Sequence, residues 1–200
     1  MTSVEGTSYR LYGIVQGVGF RPFVSRLARR LGVTGDVSNR GSFVEVHAFA
    51  DPSVLAQFRQ SLEREAPPRS AILKIDSMPL DASSGVPSSF EIIGSTCERG
   101  DIFVSPDIAT CPRCRQELYD RRDRRYRHAF INCTGCGPRV TILDAMPYDR
   151  ERTSMADFPM CAQCSREYHT PSSRRYDAQP VCCNDCGPQL YLLGREEVRG

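Results

Sequence analysis

Eight cysteines set the first chemistry of this sequence. They fall in four C-x-x-C pairs, Cys111/Cys114, Cys133/Cys136, Cys161/Cys164 and Cys183/Cys186. Eighteen residues separate the two pairs of each unit, and each cysteine of the first unit recurs fifty residues later. Glu117/Glu167, Arg124-Arg125-Tyr126/Arg174-Arg175-Tyr176 and Gly137-Pro138/Gly187-Pro188 keep the same register, the mark of an internal duplication. One tight C-x-x-C turn offers two thiolates about 2.3 Å from a Zn²⁺, and two turns close a tetrahedron with no open position. Two structural Zn²⁺ are therefore expected, at 111–136 and 161–186. Iron–sulfur is the other metal chemistry open to four thiolates, and disulfides or a redox dithiol are the metal-free readings. Cys182 aligns with Asn132, so Cys183 and not Cys182 is the expected ligand. Cys97 has no counterpart and reads as a free thiol.

A second chemistry is anion binding. Gly13-Ile14-Val15-Gln16-Gly17-Val18-Gly19-Phe20-Arg21 lies between a strand-like run and a helical pattern. Glycines let successive N–H groups converge on an oxyanion, and a helix N-terminus adds positive potential. Gln16, Gly17, Val18, Gly19 and Phe20 are the expected backbone donors, and Arg21 the planar fork that grips the same oxygens. The loop is not a Walker P-loop, since no Lys-Ser/Thr follows, and it does not fit G-x-G-x-x-G.

The elements that must hold these groups read β-α-β-β-α-β. Tyr9 to Val15 is a strand, and Phe20, Val24, Leu27, Ala28 and Leu31 share a helical face closed by Gly32. Thr34 to Ser38 and Phe43 to Ala50 form a hairpin. Asp51-Pro52 opens a helix carrying Leu55, Phe58 and Leu62, and Ala71 to Met78 and Phe90 to Ile93 supply the last strands. Two helices on one face of an antiparallel sheet is the ferredoxin-like plan. The fold class is α+β, a ferredoxin-like domain at 7–95, a linker at 96–109 and a tandem zinc-finger domain at 110–195 with four cysteines per finger.

Composition narrows the partners. Among 200 residues, 26 Lys+Arg and 24 Asp+Glu leave a net charge of +2, unlike a basic nucleic-acid domain. Two Zn²⁺–thiolate sites would take that to about −2. The run Arg121 to Arg127 is read as a solvated face that partly neutralises the first site. No apolar run approaches a membrane span, and Met1 to Tyr9 lacks the features of a secretory signal. A reducing, cytoplasmic setting is expected, with no nucleic acid or membrane partner. His47 reads as a surface strand residue, and the four-thiolate sets are complete without His128 and His169.

The glycine loop and its flanking elements, over residues 8–93, closely resemble the acylphosphatase signature. The resemblance implies that the loop cradles the phosphate of an acyl phosphate, that Arg21 clamps it, and that Asn39, in Val37-Ser38-Asn39-Arg40, orients the attacking water. Joined to the duplicated cysteines, the chain resembles the N-terminal part of the HypF hydrogenase-maturation carbamoyltransferases. The matching text includes Ser105-Pro106-Asp107-Ile108-Ala109-Thr110-Cys111-Pro112, Asn132-Cys133-Thr134-Gly135-Cys136-Gly137-Pro138-Arg139 and Pro147-Tyr148-Asp149-Arg150. That family implies carbamoyl phosphate as substrate, ATP as a cofactor of the full-length enzyme only, and HypE as protein acceptor. The chain stops at Gly200, so a fragment or short product that does not complete transfer alone is expected. Asp177 departs from the family, where a histidine is expected. The rival functions are a stand-alone acylphosphatase with a zinc docking module and a zinc-ribbon nucleic-acid binder. Metal removal is expected to unfold 110–193 and leave the N-terminal activity in place.

Overall fold

The computed structural model describes residues 4–96 and 105–191. Cys97 and most of the expected linker lie outside them. Five strands form one sheet: β1 (Glu5–Ile14), β2 (Thr34–Asn39), β3 (Phe43–Ala50), β4 (Ala71–Leu80) and β5 (Phe90–Ile92), in the order β4-β1-β3-β2-β5. β1 starts four residues before the apolar alternation does, because its early backbone pairs with both β3 and β4. β5 pairs parallel to β2, so the expected all-antiparallel sheet is mixed at one edge. That edge pairing rests on three residues whose apolar pattern carries no direction.

α1 (Phe20–Leu31) and α2 (Pro52–Arg64) bury the predicted faces. Phe20, Val24, Leu27 and Ala28 of α1 and Leu55, Phe58 and Leu62 of α2 pack with Leu11, Val37, Val44 and Val46 of the sheet. Gly32 ends α1 in the left-handed region (φ 69°), where a side chain would be strained. Asp51 caps α2 by accepting from the Ser53 N–H at 3.0 Å, with Pro52 opening its first turn. His47 is half-buried and pairs with Asp36 across β2 and β3 at 3.2 Å.

The second half is built from turns around cysteines. α3 (Pro112–Tyr119) and α4 (Ala162–His169) each begin at a cysteine N-cap, Cys111 and Cys161. The apolar sets are small: Ile131 sits with Cys114, Cys133 and Cys136, and Ala178 and Val181 with Cys164 and Cys183. Cores of that size need metal to hold them. Among the described residues no helix is long and apolar enough to cross a membrane.

Candidate active site

The loop between β1 and α1 is held at both ends. Gln16 Nε2 donates to the Gly41 carbonyl at 2.7 Å, tying the loop to the β2–β3 turn that follows Asn39. Gly17 (φ 69°) and Gly19 (φ 77°) take left-handed backbone, and the chain of the cysteine module passes close above both. A Cβ on Gly17 would lie 2.9 Å from Pro138 Cβ, and one on Gly19 2.9 Å from Thr134 Cβ. The backbone N–H groups from Gln16 to Phe20 have no acceptor among the described residues. Val18 contributes its backbone only, since its side chain is in the core.

The loop borders a partly open cavity of about 30 Å³ whose walls include Gln16, Gly17, Gly19, Phe20, Arg21 and Asn39. The other wall comes from the cysteine module: Asn132, Thr134, Tyr148, Asp177 and Gln179. Asn39 is 1 % exposed, and neither atom of its side-chain amide has a hydrogen-bond partner. Gln16 Oε1 is also buried and unpartnered. Each such orphan costs about 1–3 kcal/mol unless water or a ligand satisfies it, so this cluster beside unpaired N–H groups suits a polar occupant. Burial pushes the Tyr148 hydroxyl up to about 12, so it keeps its proton at neutral pH.

Arg21 spans the two halves. Its Nη1 lies 2.8 Å from Asp149 Oδ1 and donates to Ser95 Oγ at 3.1 Å, and its Nε lies 3.2 Å from Asp177 Oδ2. Burial works against its charge, but Asp177 and Asp149 more than offset that. Burial also raises the Asp177 carboxyl, with Arg21 pulling it back in part. Asp177 Oδ1 in turn accepts from the Tyr168 hydroxyl at 3.2 Å and Gln179 Nε2 at 2.8 Å. Asp177 sits in a left-handed turn (φ 54°), repeated in the first unit at Arg127 (φ 56°). Sequence reasoning missed Asp149 as a partner of Arg21 and took Asp177 only as a departure. The unexpected residue at 177 was the one available signal.

The eight predicted cysteines gather into two groups, Cys111, Cys114, Cys133 and Cys136, and Cys161, Cys164, Cys183 and Cys186. Neighbouring Sγ atoms lie 3.6 Å (Cys111–Cys133), 3.9 Å (Cys133–Cys136), 3.8 Å (Cys183–Cys186) and 3.7 Å (Cys164–Cys186) apart. A tetrahedron with bonds of about 2.3 Å has edges of about 3.8 Å, so the donor sets fit Zn²⁺, whereas a disulfide needs about 2.05 Å. All nine described cysteines are free of disulfides. Cys182 stays outside, with His128 Nε2 3.0 Å from its Sγ.

The basic run does not serve the first group as expected. Arg124 Nη2 donates to Cys161, Cys164 and Cys183 Sγ at 3.2, 3.3 and 2.9 Å, and Arg125 pairs with Glu167, all in the second unit. Reciprocally, Arg174 Nη1 donates to Cys114 Sγ at 3.3 Å, and Arg175 pairs with Glu117 at 2.5 Å. Arg125 Nε reaches the Cys182 carbonyl and Arg175 Nε the Asn132 carbonyl, so the crossing is two-fold. The units pack as a pair, and each Arg-Arg step lands on its partner's thiolates instead of its own. Charge-assisted bonds to thiolates hold a tetra-anionic ligand set together. Arg124→Gln with Arg125→Gln is therefore expected to speed metal loss from the second group by about tenfold while leaving the first nearer wild type. The Arg174/Arg175 pair should do the reverse. Chelator-driven metal release from chains carrying a single intact group reads both rates; a local effect, each pair weakening its own unit, would refute the crossing.

Comparison with known proteins adds the following. The acylphosphatase family model matches residues 7–92, and the HypF finger model matches 110–143 and 160–193. The carbamoyltransferase HypF2 of Cupriavidus necator is 46% identical over 152 residues, covering 75% of this chain and 19% of the relative. An acylphosphatase of Staphylococcus haemolyticus is 36% identical over 63 residues, 32% of this chain and 71% of that protein. A crystal structure of full-length HypF in the phosphate- and nucleotide-bound form superposes with a TM-score of 0.93 at 41% identity, over 100% of this chain and 26% of that one. The chain thus spans about a fifth of the length of the curated HypF relatives it matches.

Proposed function

The chain belongs to the acylphosphatase family through residues 7–92, with two HypF fingers behind them, and on that premise we propose that it binds and hydrolyses the acyl phosphate bond of carbamoyl phosphate. The observation that carries this reading is a partly open cavity lined by the loop, Arg21 and Asn39, beside which the loop N–H groups are unpaired and the Asn39 amide is orphaned. A phosphoryl group satisfies the N–H donors from Gln16 to Phe20 and takes a charge-assisted bond from Arg21. The Asn39 amide holds a water in line with the scissile P–O bond. Its oxygen forms the new bond to phosphorus, the bond to the carbamoyl oxygen breaks, and carbamate and inorganic phosphate leave. No general base is required of the protein, because the substrate phosphate takes the water's proton. Mixed anhydrides are reactive, so positioning and charge neutralisation supply most of the catalysis.

In this reading two Zn²⁺ fold the module and stay out of the chemistry, because four thiolates leave no open ligand position. Within a longer HypF-type enzyme, this reading has the carbamate activated with ATP and passed to HypE, in the cytoplasm. Nucleic-acid binding is disfavoured because Arg124, Arg125, Arg174 and Arg175 are already engaged with thiolates and carboxylates.

Phosphate release from carbamoyl and acetyl phosphate by the zinc-loaded chain tests the proposal. Asn39→Ala is expected to lower kcat by about 10²–10³-fold with little change in KM, the pattern of a group that acts on the water and not on substrate binding. Wild-type turnover in that variant, or none in the parent chain, would overturn it.

A further inference from the structure

We propose that Asp149 and Asp177, both carried by the cysteine module, are positioning residues for the Arg21 guanidinium of the anion cavity. The inference rests on the phosphate-binding reading above and extends it to residues outside the family's loop. Arginine brings about 2 kcal/mol of rotamer entropy to any site it serves. Here two carboxylates take that freedom away in advance. Asp177 Oδ2 lies 3.2 Å from Nε and Asp149 Oδ1 2.8 Å from Nη1, which donates to Ser95 Oγ, while Nη2 has no acceptor among the described residues and remains for an oxyanion. Asp177 is itself fixed by Tyr168 and Gln179 through its other oxygen. Asp149 is 8 % exposed, and its Oδ2 is buried without a partner.

The arrangement has a cost that a passive staple between domains would not predict. One guanidinium between two carboxylates leaves a net charge of −1 beside a site built for a phosphate. The carboxylates therefore hold the arginine in place and at the same time oppose the anion. Orientation and affinity should separate when one charge is removed with its shape kept. Asp149→Asn does this most cleanly, since it keeps an oxygen beside Nη1 and its new NH₂ takes the place of the unpartnered oxygen.

The test uses the full zinc-loaded chain, with acetyl phosphate as substrate and inorganic phosphate as the binding probe. Asp149→Ala and Asp177→Ala are expected to lower kcat by about tenfold or more as the guanidinium loses an anchor. Asp149→Asn is expected to restore most of the kcat lost in Asp149→Ala and to bind inorganic phosphate about tenfold more tightly than wild type. Metal content of two per chain in each variant guards against simple unfolding. Phosphate binding in Asp149→Asn that is unchanged or weaker, or a kcat as low as that of Asp149→Ala, would overturn the proposal. A parent chain that hydrolyses and binds phosphate while all three variants match it defeats this inference alone. A parent chain that does neither defeats the phosphate-binding reading and this inference with it.

Discussion

Arg21→Ala is expected to lower kcat/KM for acyl phosphate hydrolysis by about 10³-fold or more, roughly 4 kcal/mol of transition-state stabilisation. Arg21 is the only cationic side chain bordering the cavity among the described residues. The loop N–H groups alone cannot balance the charge that spreads over the phosphoryl oxygens during transfer. The variant also leaves Asp149 and Asp177 without the charge that paired them. Stranding buried carboxylates costs about 3–5 kcal/mol of stability, so the melting temperature should fall together with activity. Arg21→Lys separates the two effects. It keeps a positive charge and a share of the stability, but its single ammonium lacks the fork to serve two carboxylates and a phosphate at once. Its kcat/KM should therefore stay within about tenfold of the alanine variant. Phosphate-release kinetics beside thermal melts measure both, and near-normal turnover in Arg21→Ala would remove Arg21 from the chemistry.

Stripping the metal is the second large effect. Structural Zn²⁺ contributes about 10–16 kcal/mol of apparent binding free energy per site, more than the small apolar sets around these cysteines supply. A chelator that competes at that level should unfold the region from Ser105 onward. The N-terminal domain keeps its own core of Leu11, Val24, Val44, Phe58 and their neighbours and should remain folded. Its hydrolytic activity should nevertheless fall by at least about tenfold. Pro138 and Thr134 would leave the glycine loop, and Asp149 and Asp177 would release Arg21. This replaces the expectation that the activity survives metal loss, which treated the two halves as separate bodies. Circular dichroism and phosphate release followed together during chelation, then after zinc is restored, give the answer. Full activity in the stripped chain would show that the module's contact with the site is incidental.

The sequence carried the parts whose physics is local. The α1 and α2 faces follow a helical period, Gly17 and Gly19 announce a loop whose N–H groups can converge, and the cysteine spacing announces a tetrahedron. What it did not carry is pairing at long range. Arg21 meets Asp149 and Asp177 across more than a hundred residues, and no periodicity or motif links them. The crossing of Arg124 and Arg174 was hidden for a related reason. A duplicated sequence gives two equal partners for each guanidinium, its own unit's thiolates or the other's, and only packing chooses. The parallel edge strand β5 was similarly undirected, being three residues long. Asp177 was the one residue whose oddity was visible in the text, and the structure puts it against the arginine that the site depends on.

The most direct measurement is a crystal structure of the zinc-loaded chain soaked in inorganic phosphate. The account predicts a phosphate within hydrogen-bond distance of the N–H groups from Gln16 to Phe20 and of Arg21 Nη2, with a water on the Asn39 amide. An empty cavity at saturating phosphate, or an anion bound elsewhere, would contradict it.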